Sequence, residues 1–258
     1  MNALLAVDIL TLFPKMFDGI FTHSVIGRAV DKRIIEINIH DIRQQSNDRH
    51  RTVDDYAFGG GPGMVMKPEP LAKSIEQVQT DNAHVVLLSP QGRLLDQTSI
   101  SRLSNCGQLI LICGRYEGVD ERISQKYVDE EISIGDYVVT GGEIPAMVVT
   151  DAVVRLVPGV VGKEESLLAE SHCSGLLEHP HYTRPRRFED LEVPEILVSG
   201  NHAAVAKWRR RESLRRTLLR RPDLLHKEIL DNDELTWLLE EEPNAAHQFL
   251  AKRDNRSH

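Results

Sequence analysis

Apolar residues in the first 160 positions alternate between short continuous runs and helix-like periodic stretches. The runs predict strands at residues 4–12, 34–39, 84–88, 108–113 and 132–134. The segments VVLL and LILIC are apolar at every position, as is typical of strands buried on both faces of a parallel sheet. Helices are predicted around them, at residues 15–21, 68–77, 97–104, 120–127 and 145–157. This alternation predicts an α/β fold with a parallel sheet.

The pattern changes after Pro158-Gly159. A polar stretch without periodicity follows, which is typical of a linker or a mobile loop. Beyond it the strand signals nearly vanish, and helices are predicted at residues 201–221, 223–231 and 233–241, the last capped by Asn232-Asp233. We therefore predict an α/β domain of residues 1–160, a linker of residues 161–175 and a smaller all-helical domain of residues 176–258.

Charge is distributed unevenly along the chain. The net charge of −8 and the pI near 5.8 argue, as averages, against a nucleic-acid partner. One predicted helix is nevertheless strongly basic, and its only acidic residue is Glu212. Its basic residues are Lys207, Arg209, Arg210, Arg211, Arg215, Arg216, Arg220 and Arg221. Such a local field can attract RNA, although a merely solvated charged face is the alternative.

The apolar stripe of the basic helix is interrupted by arginines. At 100° per residue, Arg211 and Arg215 fall among its apolar positions. We therefore expect either that these two arginines are ion-paired against another surface or that the helix bends.

Other classes of protein are disfavoured. No segment approaches the roughly 20 apolar residues of a membrane helix, and the first apolar run reads as a strand rather than a signal peptide. Cys106, Cys113 and Cys173 show no CxxC spacing, so neither a disulfide framework nor a zinc ribbon is predicted. A reducing cytoplasm fits this composition.

Glycine-rich or polar segments follow three of the predicted strands, at residues 89–92, 114–118 and 133–143. Open α/β sheets bind ligands at the carboxyl ends of their strands. These three segments therefore predict a shared small-molecule pocket. The glycine run at residues 59–63 fits neither a Walker loop nor GxGxxG, and by composition alone it is a flexible loop.

Six motifs in order carry a resemblance to a known family. They are YxFGGGPGM (56–64), LSPQGRxLDQ (88–97), CGRYEGxDER (113–122), ISIGDYVxTGGExPAM (132–147), PHYTRP (180–185) and RRPxLL (220–225). Over nearly its full length the chain resembles the bacterial tRNA (guanine-N1)-methyltransferases, the TrmD family of the SPOUT superfamily.

The resemblance implies a parallel sheet with a deep trefoil knot, a rare exception to unthreaded chain topology. It implies a homodimer that transfers a methyl group from S-adenosylmethionine to N1 of guanosine at tRNA position 37, beside the anticodon. The helical domain of one subunit would help to enclose the site of the other. No DNA or membrane partner is expected. A magnesium requirement is also implied, but the sequence shows no spacing for a magnesium site.

The resemblance and the three loops together predict the binding residues. Those for the methyl donor are Leu88, Ser89, Pro90, Gln91, Gly114, Tyr116, Glu117, Gly118, Ser133, Ile134, Gly135, Tyr137, Val139, Gly141, Gly142 and Pro145. Those for tRNA are Gly59, Gly60, His181, Tyr182, Arg184, Lys207, Arg209, Arg215 and Arg220. The histidines near residue 180 have no zinc-site spacing, so no metal ligand is predicted.

Methylation of guanine N1 requires removal of its proton and stabilisation of the charge that develops at O6. The resemblance assigns these roles to a linker aspartate and to an arginine that Arg155 matches. The linker departs from the family pattern, because Glu170 precedes Ser171 where the family usually has aspartate. We predict that Glu170 is the base, with Glu178 and Glu165 as rivals; a solvated glutamate at position 170 is the alternative.

Two other functions remain open on the sequence. One is a SPOUT methyltransferase that acts on ribosomal RNA, although such enzymes usually lack the PHYTRP motif and the basic helices. The other is a non-catalytic RNA-binding protein in which Glu170 marks a lost base.

Overall fold

The computed structural model describes residues 3–161, 171–172, 175–225 and 230–254, without the side chains of the last three. The chain forms two compact units, Met1–Gly162 and Lys163–His258. We call them the N-terminal unit and the C-terminal unit.

The N-terminal unit is built on a five-stranded sheet in the order β2-β1-β6-β5-β7, and every neighbouring pair is parallel. Its strands are β1 (Leu5–Thr11), β2 (Ile35–Asp41), β5 (Ala83–Leu94), β6 (Gln108–Cys113) and β7 (Glu130–Ser133). All five predicted strands are therefore confirmed. Two short strands, β3 (Asp54–Asp55) and β4 (Val65–Met66), pair separately as an antiparallel ladder that was not predicted.

The central strand β6 shows why this sheet forms. All six of its residues are buried, because apolar clusters pack on both of its faces. Leu109 and Leu111 belong to one cluster, and Ile110 and Ile112 to the other. Fully burying each such side chain contributes about 1.5–3 kcal/mol, so the continuous apolar run fixes β6 at the centre of the sheet.

Five helices of the N-terminal unit flank the sheet. They are α1 (Ser24–Asp31), α2 (Pro68–Val78), α3 (Gln97–Leu103), α4 (Glu121–Tyr127) and α5 (Glu143–Val154). Aspartates cap two of them, since Asp96 accepts a hydrogen bond from the Ser99 backbone N–H and Asp120 accepts one from that of Arg122.

One prediction for these helices was wrong, and one helix was missed. The helix expected at residues 15–21 is a single 3₁₀ turn, Pro14–Phe17, because Gly19 adopts a left-handed conformation with φ of 83° and stops it. Helix α1 was not predicted at all. Its Gly27 lowers helix propensity, yet a side chain there would overlap the backbone of Thr22, so close packing explains the glycine.

The C-terminal unit is mainly helical. It contains α6 (His202–Arg220), α7 (Pro222–Leu225), α8 (Asn232–Glu241) and α9 (Pro243–Asp254), preceded by a 3₁₀ turn, Glu195–Val198. Their common core is Leu176, Leu214, Leu218, Leu225, Leu238, Ala246 and Phe249. A small hairpin of β8 (Arg187–Phe188) and β9 (Leu191–Glu192) corrects the prediction that this part is all-helical.

Other details of the C-terminal unit also differ from the prediction. Helix α8 is capped by Asp231 in a reciprocal capping box with Glu234, rather than by Asn232-Asp233. Asp231 is therefore not part of the helix expected at residues 223–231. Among the described residues of that range, only 223–225 are helical, as part of α7, and residues 226–229 lie outside the described residues. Helix α9 was not predicted.

The arginines inside the apolar stripe of α6 are held by other helices of the same unit. Arg215 donates to Glu242 over 2.7 Å, and the Arg211 guanidinium lies 5.1 Å from the centre of the Trp237 ring. The expectation that these arginines pair against another surface is confirmed for Arg215, whereas Arg211 makes a cation–π contact instead.

Candidate active site

A cavity of about 320 Å³ lies at the carboxyl ends of β5, β6 and β7. Residues 89–92 form a bulge within β5, since Ile132 of β7 pairs with both Leu88 and Arg93 and the four residues between them are left outside the ladder. The loops after β6 and β7 complete the wall. Residues from three consecutive strands and the segments that follow them thus meet at this cavity, as is typical of ligand sites in open α/β sheets.

Fifteen of the sixteen residues predicted to bind the methyl donor line this cavity; Gly135 does not. A side chain at Gly135 would overlap the ring of Tyr137. The lining residues that the sequence analysis missed are Leu87, Arg115, Val119, Glu121, Ser124, Glu131, Ile132, Val138 and Thr140. Most of them lie inside or next to the motifs at residues 88–97, 113–122 and 132–147, so membership of a motif was the sequence signal that could have identified them.

The loop after β7 closes directly onto the end of β6. The Gly142 backbone N–H donates to the Gly114 carbonyl over 2.8 Å. A Cβ atom at Gly142 would stand 2.6 Å from the Cα of Cys113, closer than any side chain tolerates. Glycine is therefore required here because two backbone segments touch.

A buried ion pair connects the loop after β6 to the loop after β7. Glu143, the first residue of α5, is fully buried and accepts hydrogen bonds from Arg115 Nε and Thr11 Oγ1, each over 2.9 Å. Arg115 also donates to the Thr140 carbonyl over 2.9 Å, and its guanidinium lies 4.5 Å from the centre of the Phe13 ring. Arg115 thus links the loop after β6 to the loop after β7.

Electrostatically the cavity favours a cationic ligand. Glu117, Glu121 and Glu131 line it, whereas Arg115 is the one cation among the described lining residues and is already paired with Glu143. A positively charged group would therefore gain from the cavity's excess of carboxylates.

The predicted catalytic residues are only partly described. Arg155 caps the carboxyl end of α5, is half-buried, and its backbone N–H donates to the Asp151 carbonyl. Glu170 and its rival Glu165 lie outside the described residues. The other rival, Glu178, belongs to the C-terminal unit, where its carboxylate lies 3.6 Å from His181 Nε2.

The glycine run predicted to contact tRNA lies in the exposed loop between β3 and β4. Gly59 and Gly60 have φ values of 88° and 78°, a conformation that favours glycine. The loop is attached to the cavity wall at its far end, where the Glu117 backbone N–H donates to the Met64 carbonyl and a side chain at Gly63 would overlap Glu117.

The remaining residues predicted to bind tRNA lie in the C-terminal unit, which has two adjoining cavities of about 550 and 470 Å³. His181 and Tyr182 line both cavities. Arg220 lines the larger one, and Arg184 and Arg209 line the smaller. Lys207 is exposed on α6 and lines neither.

Arg215 differs from the other basic residues predicted to bind tRNA. It is engaged by Glu242 and lies 3.5 Å from Glu212, an arrangement that favours a structural role.

Within the described residues, no group of three or more His, Cys, Asp or Glu side chains is placed to hold a metal ion. No helix in the same part of the chain has the length and apolarity needed to cross a membrane.

Comparison with known proteins places this architecture in a family. The family model described as tRNA (Guanine-1)-methyltransferase TrmD matches residues 5–227. The chain is 55% identical over 238 residues to the tRNA (guanine-N(1)-)-methyltransferase of Dictyoglomus turgidum, covering 92% of this chain and 96% of that protein. It is 52% identical to the enzyme of the same name from Geobacter metallireducens over 241 residues, or 93% and 98% of the two chains. It is 49% identical over 237 residues to the tRNA (guanine-N(1)-)-methyltransferase of Bacillus licheniformis, covering 91% of this chain and 98% of that protein. The chain therefore belongs to the tRNA (guanine-1)-methyltransferase TrmD family.

Proposed function

We propose that this protein transfers a methyl group from S-adenosylmethionine to N1 of guanosine at tRNA position 37. The observation that carries the proposal is the cavity formed by the loops of β5, β6 and β7, which brings together fifteen residues of three family motifs. Family membership supports the reaction, and the basic helix α6 supports an RNA substrate.

The cavity fits the methyl donor chemically. Its volume of about 320 Å³ falls at the lower end of the range for small-molecule sites, roughly 300–1,000 Å³. When bound, S-adenosylmethionine supplies a methyl group activated by a positively charged sulfonium. The carboxylates of Glu117, Glu121 and Glu131 balance that positive charge. Backbone N–H and C=O groups of residues 114–118 and 133–142 are available to the polar groups of the donor.

The proposal includes a deep trefoil knot in the N-terminal unit. Strand β7 lies on the far side of β5 from β6, yet Gly142 reaches back to Gly114 at the end of β6. The chain therefore crosses β5 between β7 and α5, which is compatible with threading past the bulge of residues 89–92.

Guanine N1 becomes nucleophilic once its proton is removed, so a carboxylate must reach N1 and a cation must face O6. We assign the cation to Arg155, at the carboxyl end of α5, and the base to Glu170. Glutamate keeps the carboxylate of the family's usual aspartate and adds one methylene. Glu178 is the next candidate, because its position near His181 and Arg216 places it on the wall of a cavity that is large enough for a base.

We assign tRNA binding to the C-terminal unit, through His181, Tyr182, Arg184, Lys207, Arg209 and Arg220, with Gly59 and Gly60 as the contribution of the N-terminal unit. We also propose a homodimer. Tyr137 and Val138 on the cavity wall and Ile144 and Val148 on α5 are exposed apolar side chains, which contact between two copies of the chain could bury. A cytoplasmic location and a magnesium requirement complete the proposal.

The test is methyl transfer from labelled S-adenosylmethionine to an unmodified tRNA transcript with guanosines at positions 36 and 37, with magnesium present. Wild type is compared with Arg155→Ala, Glu170→Gln and Glu178→Gln, and donor binding is measured for each by calorimetry. We expect Arg155→Ala and Glu170→Gln to lose turnover by at least about 100-fold while they still bind the donor. Activity that survives Glu170→Gln and is lost in Glu178→Gln would move the base to Glu178. An inactive wild type that binds RNA would replace the enzyme proposal with a non-catalytic RNA-binding function.

A further inference from the structure

The two cavities of the C-terminal unit share a wall of aromatic rings. His179, His181 and Tyr182 line both of them. The rings of His179 and His181 are 4.6 Å apart, and the Trp208 ring lies 6.3 Å from His179 and 6.4 Å from Tyr182. Tyr182 is 49% exposed, so one side of this aromatic cluster faces the open cavities.

Arginines surround the aromatic wall. Arg216 and Arg220 line the larger cavity, and Arg184, Arg186 and Arg209 line the smaller. Glu178 is the one carboxylate among the described residues that line either cavity. Of the five arginines, Arg186 lies 3.7 Å from Glu195, an exposed pair that is worth little in water. The site is therefore strongly positive around an apolar, flat surface.

The imidazole ring of His179, which forms part of the wall, is uncharged at neutral pH. Burial lowers the pKa of His179, and the nearby charges of His181 and Arg209 act in the same direction, although its hydrogen bond with the Pro180 carbonyl opposes them. A neutral imidazole presents a π face without repelling the surrounding arginines or competing with them for an anion.

We infer that this wall is a built pocket for one unpaired nucleotide of the RNA substrate, with the base against Tyr182 and His181 and the phosphate held by the flanking arginines. The inference rests on the proposed function, which supplies RNA as the partner. A phosphate ion alone would need no aromatic wall, and an apolar ligand would need no arginines. A nucleotide uses both, because every base has a π face and every backbone phosphate a negative charge.

The first experiment measures the fluorescence of Trp208, which lies beside the aromatic wall. The chain has two tryptophans, Trp208 and Trp237, and Trp237 lines neither cavity. In the Trp237→Phe protein all tryptophan fluorescence therefore comes from Trp208. We expect an anticodon stem-loop RNA to quench it, whereas a blunt duplex of equal phosphate number leaves it unchanged. The matched Trp208→Phe protein should respond to neither RNA.

The second experiment separates stacking from charge. Tyr182→Ala should weaken stem-loop binding roughly 5- to 100-fold, the range that the loss of one base–aromatic stack produces, while Tyr182→Phe should bind like wild type. Because no phosphate contact is removed, the slope of log affinity against log salt should stay the same in Tyr182→Ala and become shallower in Arg209→Ala.

Three results would overturn the nucleotide pocket. One is equal quenching of Trp208 by the duplex and by the stem-loop, and another is equal quenching by inorganic phosphate alone, which would mark a general anion site. The third is an unchanged affinity of Tyr182→Ala. Since none of these measurements involves methyl transfer, they can fail while the wild type remains an active methyltransferase.

Discussion

The buried pair of Arg115 and Glu143 allows a quantitative prediction for the donor cavity. Arg115→Met removes the cation and leaves Glu143 fully buried with Thr11 as its remaining hydrogen-bond donor. Breaking a buried ion pair in this way costs about 3–5 kcal/mol, because a charge is left without compensation. The side chain of Arg115 is only 16% exposed, so solvent screens little of this cost.

The assay must report on the N-terminal unit, and both tryptophans lie in the C-terminal unit. Hydrogen–deuterium exchange of the peptides that cover β1 and β6 meets this need, since those buried strands exchange only when the N-terminal unit opens. In Arg115→Met we expect exchange on the order of a hundredfold faster or more, following the factor of ten for each 1.4 kcal/mol.

A double variant separates stability from donor binding. Arg115→Met with Glu143→Met replaces both charges by apolar groups, a change that is often neutral or stabilising. We expect its exchange rates to return toward those of wild type. In both variants the affinity for S-adenosylmethionine should be lower than in wild type, because the Thr140 carbonyl has lost the hydrogen bond from Arg115 that connects the loop after β7 to the loop after β6.

Two results would refute this reasoning. Wild-type exchange rates in Arg115→Met would mean that the pair contributes nothing to stability. Wild-type donor affinity in the double variant, measured by calorimetry, would mean that Arg115 does not shape the cavity.

Three further predictions follow from single side chains. Gly142→Ala should abolish donor binding because its methyl group meets the backbone of β6, whereas Gly107→Ala, which has open space around it, should bind the donor normally by calorimetry. Arg209→Ala should weaken tRNA binding in a filter assay and leave the melting temperature unchanged; Arg215→Ala, which loses its acidic partners, should lower the melting temperature and affect binding less. The lowered pKa of His179 means that the unfolded chain takes up a proton first as pH falls below about 6.5. Stability of the C-terminal unit, followed by tryptophan fluorescence in urea, should therefore be full above that pH and decline below it, and His179→Gln should show a smaller decline.

Local patterning was sufficient to predict the five strands of the main sheet and the basic helix. The continuous apolar run of β6 is typical of a strand in the middle of a covered sheet, and the basic residues of α6 are clustered within a single predicted helix. The three loops could be placed together because the carboxyl ends of parallel strands lie at one edge of a sheet, a rule of topology that needs no coordinates. What the sequence determined by itself is therefore whatever depends on neighbours within one element or on strand direction.

Contacts between distant positions were decided by the tertiary structure alone. Arg115 and Glu143 are 28 residues apart, and Arg215 and Glu242 are 27 apart. The sequence around Arg115 does not distinguish it from arginines that face solvent. For Arg215 the apolar stripe predicted a partner, but not that the partner is Glu242. Helix α1 was missed for a related reason, since Gly27 reads as a helix breaker until the backbone packed against it is known. The periodicity of a sequence indicates which face of a helix or strand is buried. Which residue contacts that face depends on how the elements pack in the tertiary structure.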